Sequence, residues 1–163
     1  MVVILVLSRE RPAAYLAAAL FVVAGVTDGL DGYLARRHAS VTRLGTWLDP
    51  LADKALITAP VVALVIVGDF PLWAAAVIVV REFAVSVLRA WLGTRGRAMP
   101  ASWWGKVKTA AQLLVVLLYL LPDLSEPARD VRFWFLIAAV ALTVWSGLDY
   151  LWRALRTPRE PAS

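Results

Sequence analysis

The chain has 163 residues, of which 61% are hydrophobic and 18% charged, with a formal net charge of +5 and a mean hydropathy of +0.71. A soluble domain is about 45–50% apolar, and here the excess runs the whole length, which predicts an integral membrane protein and excludes a nucleic-acid-binding domain despite the positive charge. Cys is absent and His38 is the single histidine, so disulfides, thiolate metal sites, a cysteine nucleophile and a histidine-rich metal cage are excluded. In chain order, MVVILVL is apolar but too short to cross a bilayer, which needs roughly 20 helical residues; it reads as the tail of a first helix whose beginning lies upstream. Five complete spans follow, at about 12–36, 43–67, 71–92, 105–121 and 133–153. The breakers HASVT, GDFP, GTRGRAMPAS and PDLSEPARD separate them. No strand alternation is visible, and open strands do not survive in lipid. The expected fold is therefore all-α, a single polytopic membrane helix bundle over 1–163, with a basic tail at 154–163.

Lysine and arginine set the orientation. Arg36, Arg37, Arg43, Arg89, Arg95, Arg97, Lys106, Lys108, Arg153, Arg156 and Arg159 fall on one side of these spans. Arg9, Arg11, Arg129 and Arg132 fall on the other, and Lys54 and Arg81 lie within spans. The richer side is expected to be cytoplasmic, in the cytoplasmic membrane, with the C-terminus on that side.

The segment VTDGLDGYLARRHASVTRLGTWLDPLADKAL then stands out, because it puts Asp28, Asp31, Asp49 and Asp53 into membrane helices. Ionisable residues inside a membrane are costly and are functional by default. Asp28 and Asp31 are about 60° apart around one helix, and Gly32 and Ala35 share that face. Gly45, Asp49 and Asp53 are spaced i, i+4, i+8 on the next, forming one stripe. At 1.5 Å per residue, Asp28 lies roughly 12 Å deep, Asp31 roughly 8 Å, Asp49 roughly 9 Å and Asp53 roughly 15 Å from the shared loop. Four carboxylates at matching depths can converge on one pocket open to the cytoplasm. They cannot all stay ionised without positive charge between them. One or two divalent cations would supply it, and Mg2+ or Mn2+ suit carboxylate oxygens. Small residues on the same faces leave room for a ligand or for close packing.

These residues, Asp28-x-x-Asp31-Gly32-x-x-Ala35-Arg36 followed after eight residues by Gly45-x-x-x-Asp49-x-x-x-Asp53, resemble the motif of the CDP-alcohol phosphatidyltransferase family at every fixed position. The resemblance implies a six-helix membrane enzyme, a homodimer, that moves a phosphatidyl or related group from a CDP-linked donor onto an alcohol and releases CMP. It implies that Asp28, Asp31 and Asp49 hold two metal ions with Asp53 contributing a ligand. It implies that Asp53 is the general base, and that Gly32, Ala35, Arg36 and Gly45 line the CDP site. The chemistry agrees, since a pyrophosphate must be neutralised before an alcohol can attack and the alcohol needs a base.

Further blocks, LDPLADKAL, REFAVSVLR at 81–89 and SWWGKVKTAAQ at 102–112, resemble the phosphatidylglycerophosphate synthase branch of that family. They imply CDP-diacylglycerol as donor and sn-glycerol 3-phosphate as acceptor. Arg81 and Glu82 lie mid-span, where charge needs a reason. Lys108, Thr109 and Gln112 are expected on one helical face. Arg81, Lys106, Lys108 and Arg89 are the candidates for the acceptor phosphate, against an internal ion pair of Arg81 with Glu82 or an aspartate and snorkelling of Lys106 and Lys108. Inositol phosphate, serine or another glycerol lipid are alternative acceptors. A divalent-cation transporter is the alternative from another class, but the outer halves, AALFVVAG and ALITAPVVALVIV, offer no polar path. Trp103 and Trp104 read as an interfacial belt, His38 as a loop residue, Asp149 as a capping or pairing group, and Arg153, Arg156 and Arg159 as anionic-lipid contacts.

Overall fold

The structure, a computed structural model, describes residues 3, 6, 8, 10–38, 43–95, 103–122 and 124–156, and their side chains except at 28–38 and 43–53. Among them five helices and no strand occur: α1 Arg11–His38, α2 Arg43–Val67, α3 Leu72–Gly93, α4 Trp103–Leu120 and α5 Glu126–Arg156. Four of the expected spans coincide with helices to within two residues. α1 runs through His38, so that residue ends a helix instead of lying in the loop. The fifth helix differs more, for it starts at Glu126, seven residues before the apolar run. The stretch EPARD is polar but helix-compatible. The Arg129 amide already donates to Ser125 O at 3.0 Å, and Glu126 supplies an acid to the first turn, where it complements the helix dipole.

The turn between α2 and α3 shows how local chemistry stops a helix. Gly68 takes φ +86°, a left-handed conformation that a side chain resists. Its amide bonds Val65 O, and the Asp69 and Phe70 amides bond Leu64 O, closing the orphan carbonyls of α2. Pro71, extended at φ −64°, then precedes α3.

Packing does not follow chain order alone. α4 touches α1, α2 and α5, while α3 packs between α2 and α5. One half of the bundle is an apolar core: Ala17 and Phe21 of α1, Val61 and Leu64 of α2, Ala74 and Ile78 of α3, Val116 and Tyr119 of α4, and Leu136 and Ala139 of α5. Alanines at the contacts let the backbones approach, as membrane helices require. Phe70 packs on Tyr119 with ring centroids 4.7 Å apart, and the Arg132 guanidinium lies over the Tyr119 ring, 4.2 Å from its centre. The opposite half holds 28–38 of α1, 43–53 of α2, and the chain around 81–92, 103–112 and 143–154. The Arg81, Glu82, Lys108 and Gln112 candidates lie there.

Outward faces are greasy. Val80 and Val87 of α3 are 66% and 67% exposed and Trp134 of α5 is 68% exposed, a surface suited to hydrocarbon and not to water. Of the described residues, α5 is the one helix long and apolar enough to cross a bilayer, with Arg11–Thr27 and Lys54–Val67 as shorter apolar runs.

Candidate active site

The motif-bearing segments are the last turns of α1 and the first turns of α2, two helices that pack against each other across the short connection 39–42. The side chains of Asp28, Asp31, Gly32, Ala35, Arg36, Gly45, Asp49 and Asp53 lie outside the described residues. Among the described residues no group of three or more His, Asp or Glu could hold a metal. A metal reading therefore rests on the four aspartates. An all-carboxylate donor set on two packed helices fits a hard divalent cation and no softer one.

Elsewhere among the described residues α3, α4 and α5 form a charged cluster. Glu82 Oε1 accepts from the Lys108 ammonium, which arrives from α4, and from Arg81 Nη1 at 3.3 Å. Arg81 is held from the other side as well, since Nη2 donates to Ser146 Oγ of α5 at 3.0 Å. Gly147 leaves room for that approach. A Cβ there would stand 3.3 Å from Arg81 Cγ and 3.6 Å from Nε. The Lys108 side chain is 4% exposed, against 15% for Arg81 and 16% for Glu82. Burial this deep is tolerated because the charges are paired.

One turn along α4 the polar seam continues. Gln112, fully buried, donates from Nε2 to Thr143 Oγ1 at 3.0 Å. Thr143 donates onward to Ala139 O, and Ser146 to Thr143 O. Gln112 Oε1 and Arg81 Nε are buried and find no hydrogen-bond partner. Lys108 and Gln112 thus share the inward face, but Thr109 does not. It is exposed and its hydroxyl turns back to Gly105 O at 3.0 Å, because a shift of one residue rotates it about 100° around the helix.

The other candidates spread outward. Arg89 is exposed and lies over the Tyr150 ring, 5.5 Å from its centre. Lys106 is exposed on α4. So Arg81 and Lys108 come together around Glu82, whereas Arg89 and Lys106 lie at the surface of the same half. Asp149 pairs with Arg153 at 3.0 Å. Trp103 and Trp104 are exposed and meet edge-on. Sequence reasoning missed Thr143 and Ser146. Their signal was the inward stripe of α5, Leu136, Ala139, Thr143, Ser146, Tyr150 and Ala154, which recurs at three- and four-residue spacing.

Comparison with known proteins identifies the family. A family model described as CDP-alcohol phosphatidyltransferase matches residues 1–145. A "Probable phosphatidylglycerophosphate synthase" of Mycobacterium tuberculosis (strain ATCC 25618 / H37Rv) is 43% identical over 148 residues, 91% of this chain and 70% of the relative. A "CDP-diacylglycerol--glycerol-3-phosphate 3-phosphatidyltransferase" of Bacillus subtilis (strain 168) is 44% identical over 155 residues, 90% of this chain and 79% of the relative. The Escherichia coli (strain K12) protein of the same name is 42% identical over 146 residues, 84% and 77% of the two chains. With the match running through both aspartate-bearing helices and the cation cluster, the chain belongs to the CDP-alcohol phosphatidyltransferase family.

Proposed function

We propose that the protein is a membrane transferase that moves the phosphatidyl group of CDP-diacylglycerol onto sn-glycerol 3-phosphate, giving phosphatidylglycerophosphate and CMP. The observation that carries this reading is its 42% to 44% identity, over at least 84% of the chain, to relatives whose names specify that donor and that acceptor. In this reading Asp28, Asp31, Asp49 and Asp53 would hold divalent cations, Mg2+ or Mn2+, two ions by family resemblance. Cations held there would neutralise the pyrophosphate and stabilise the departing phosphate. Gly32, Ala35, Arg36 and Gly45 line the CDP site. Asp53 takes the proton of the acceptor hydroxyl. That oxygen bonds to the phosphorus carrying the diacylglycerol, the pyrophosphate P–O bond breaks, and CMP leaves with the bonding electrons. Arg81 and Lys108 receive the acceptor's phosphate, with Arg89 and Lys106 at the entrance. Two cations held in an apolar bundle support this role, for a phosphate monoester is the kind of anion they would recognise.

The same reading makes the chain a polytopic bundle of five spans, six in the family, acting as a homodimer in the cytoplasmic membrane with its site open to the cytoplasm. Exposed apolar faces on α3 and α5 and the one-sided basic residues support it. The test is to give the purified protein, in lipid nanodiscs, CDP-diacylglycerol with glycerol 3-phosphate, inositol phosphate, serine or glycerol, and to follow CMP and lipid product. Phosphatidylglycerophosphate is expected from the first alone. EDTA should abolish turnover and added Mg2+ or Mn2+ restore it. Product from inositol phosphate alone would reject the acceptor assignment.

A further inference from the structure

We infer that Glu82 is a positioning residue for the acceptor, its carboxylate holding Lys108 and Arg81 together as one preset phosphate receptor. This rests on the proposed reading that these two cations bind the acceptor's phosphate. Three observations lead to it. One oxygen of Glu82 serves both cations, which come from different helices, Arg81 from α3 and Lys108 from α4. The guanidinium is also held on its far side by Ser146 of α5, where Gly147, lacking a side chain, leaves room for Arg81, so the two cations are tied into contacts from three helices. The charge is also graded: two buried cations side by side repel, and one carboxylate leaves the group at net +1. That group can persist without a ligand and still attract a phosphate monoester, while the ammonium and guanidinium keep donors that Glu82 does not use. Holding the receptor before the acceptor arrives spares the ordering that binding would otherwise require.

A carboxylate beside a phosphate site could instead act as a stand-in anion that the acceptor must displace. The doubly clamped Arg81 favours positioning, since a stand-in needs cations free to turn toward the newcomer. The two roles predict opposite signs on removal of the charge.

The experiment is steady-state kinetics on the full chain in nanodiscs, comparing wild type, Glu82→Gln and Glu82→Asp, with each substrate varied in turn. Glu82→Gln should raise KM for glycerol 3-phosphate at least tenfold, with KM for CDP-diacylglycerol within twofold and kcat within threefold of wild type. Glu82→Asp keeps the charge on a shorter arm and should fall between. A merely structural role would change the yield of folded protein, or both KM values together, and that result overturns the inference. An unchanged KM for the acceptor overturns it, and a lowered one replaces it with the stand-in. Should Glu82→Gln not accumulate in membranes, Glu82→Asp decides: a selective rise in acceptor KM supports the assignment and a parallel rise in both rejects it. The wild-type arm separates the two proposals. Wild type that prefers an unphosphorylated alcohol removes the phosphate acceptor itself, and the inference with it, whereas wild type that uses glycerol 3-phosphate beside an indifferent Glu82→Gln removes Glu82 alone.

Discussion

Asp53 occupies the position one turn after Asp49 on α2, and in the proposed reaction it alone must exchange a proton. Asparagine keeps its size and one oxygen but cannot accept that proton. Asp53→Asn is expected to lower kcat by about 10²–10⁴-fold, the usual worth of a positioned general base. Binding of CDP-diacylglycerol should stay within about threefold, because Asp28, Asp31 and Asp49 remain to hold the cations. CMP release and equilibrium binding of labelled donor measure the two separately, and equal turnover would take Asp53 out of the base role. Residues of this kind are legible in sequence because the chemistry fixes both type and spacing. Hydroxyls are not. Thr109, Ser86 and Thr143 each bond a carbonyl four residues back on their own helix, so a hydroxyl inside a span needs no partner elsewhere. Only the fold reveals that Thr143 also receives Gln112 and that Ser146 receives Arg81.

Helices α4 and α5 meet along a face that mixes apolar residues with this polar seam, and the seam's energetic weight can be measured. The Gln112–Thr143 hydrogen bond is buried and crosses between the two helices. Interhelical hydrogen bonds in membrane proteins average about 0.6 kcal/mol and reach about 1.7. A double-mutant cycle with Gln112→Leu and Thr143→Val should therefore give a coupling of about 0.6–1.7 kcal/mol by reversible unfolding in mixed micelles. The double variant should fold well, since it also removes the unpaired Gln112 Oε1 and replaces both partners by apolar groups of similar shape. A coupling near zero would leave packing alone to join these helices. Hydropathy located the five helices but misjudged where α5 begins, because hydropathy senses the membrane and not the helix. Glu126–Asp130 is helical yet polar. The serine before an acid and a proline, Ser125-Glu126-Pro127, was the readable start signal.

Across the whole molecule, chain order predicted antiparallel neighbours but not that α4 would touch α1, α2 and α5 or that α3 would dock on α5. Contacts between helices distant in sequence leave only weak traces, such as the small and polar stripe on α5. The resulting division puts an apolar core at one end and the aspartate-bearing segments with the Arg81–Glu82–Lys108 cluster at the other. In the proposed reaction a donor with lipid tails meets a soluble acceptor and leaves a soluble product, so the polar end must open to the compartment that supplies the acceptor; the excess of basic residues on that side supports our proposal that it faces the cytoplasm. Because the chain has no cysteine, a single introduced thiol reports its own side of the membrane without background. Asp69 and Ser125 are exposed in the connections at the apolar end, and Thr94 is exposed at the polar end. In intact cells, Asp69→Cys and Ser125→Cys should react with a membrane-impermeant maleimide, and Thr94→Cys only after permeabilisation. The reverse pattern would turn the four aspartates toward the outside and defeat the proposed supply of acceptor. Labelling of all three in intact cells would instead mean that these helices do not alternate across the bilayer.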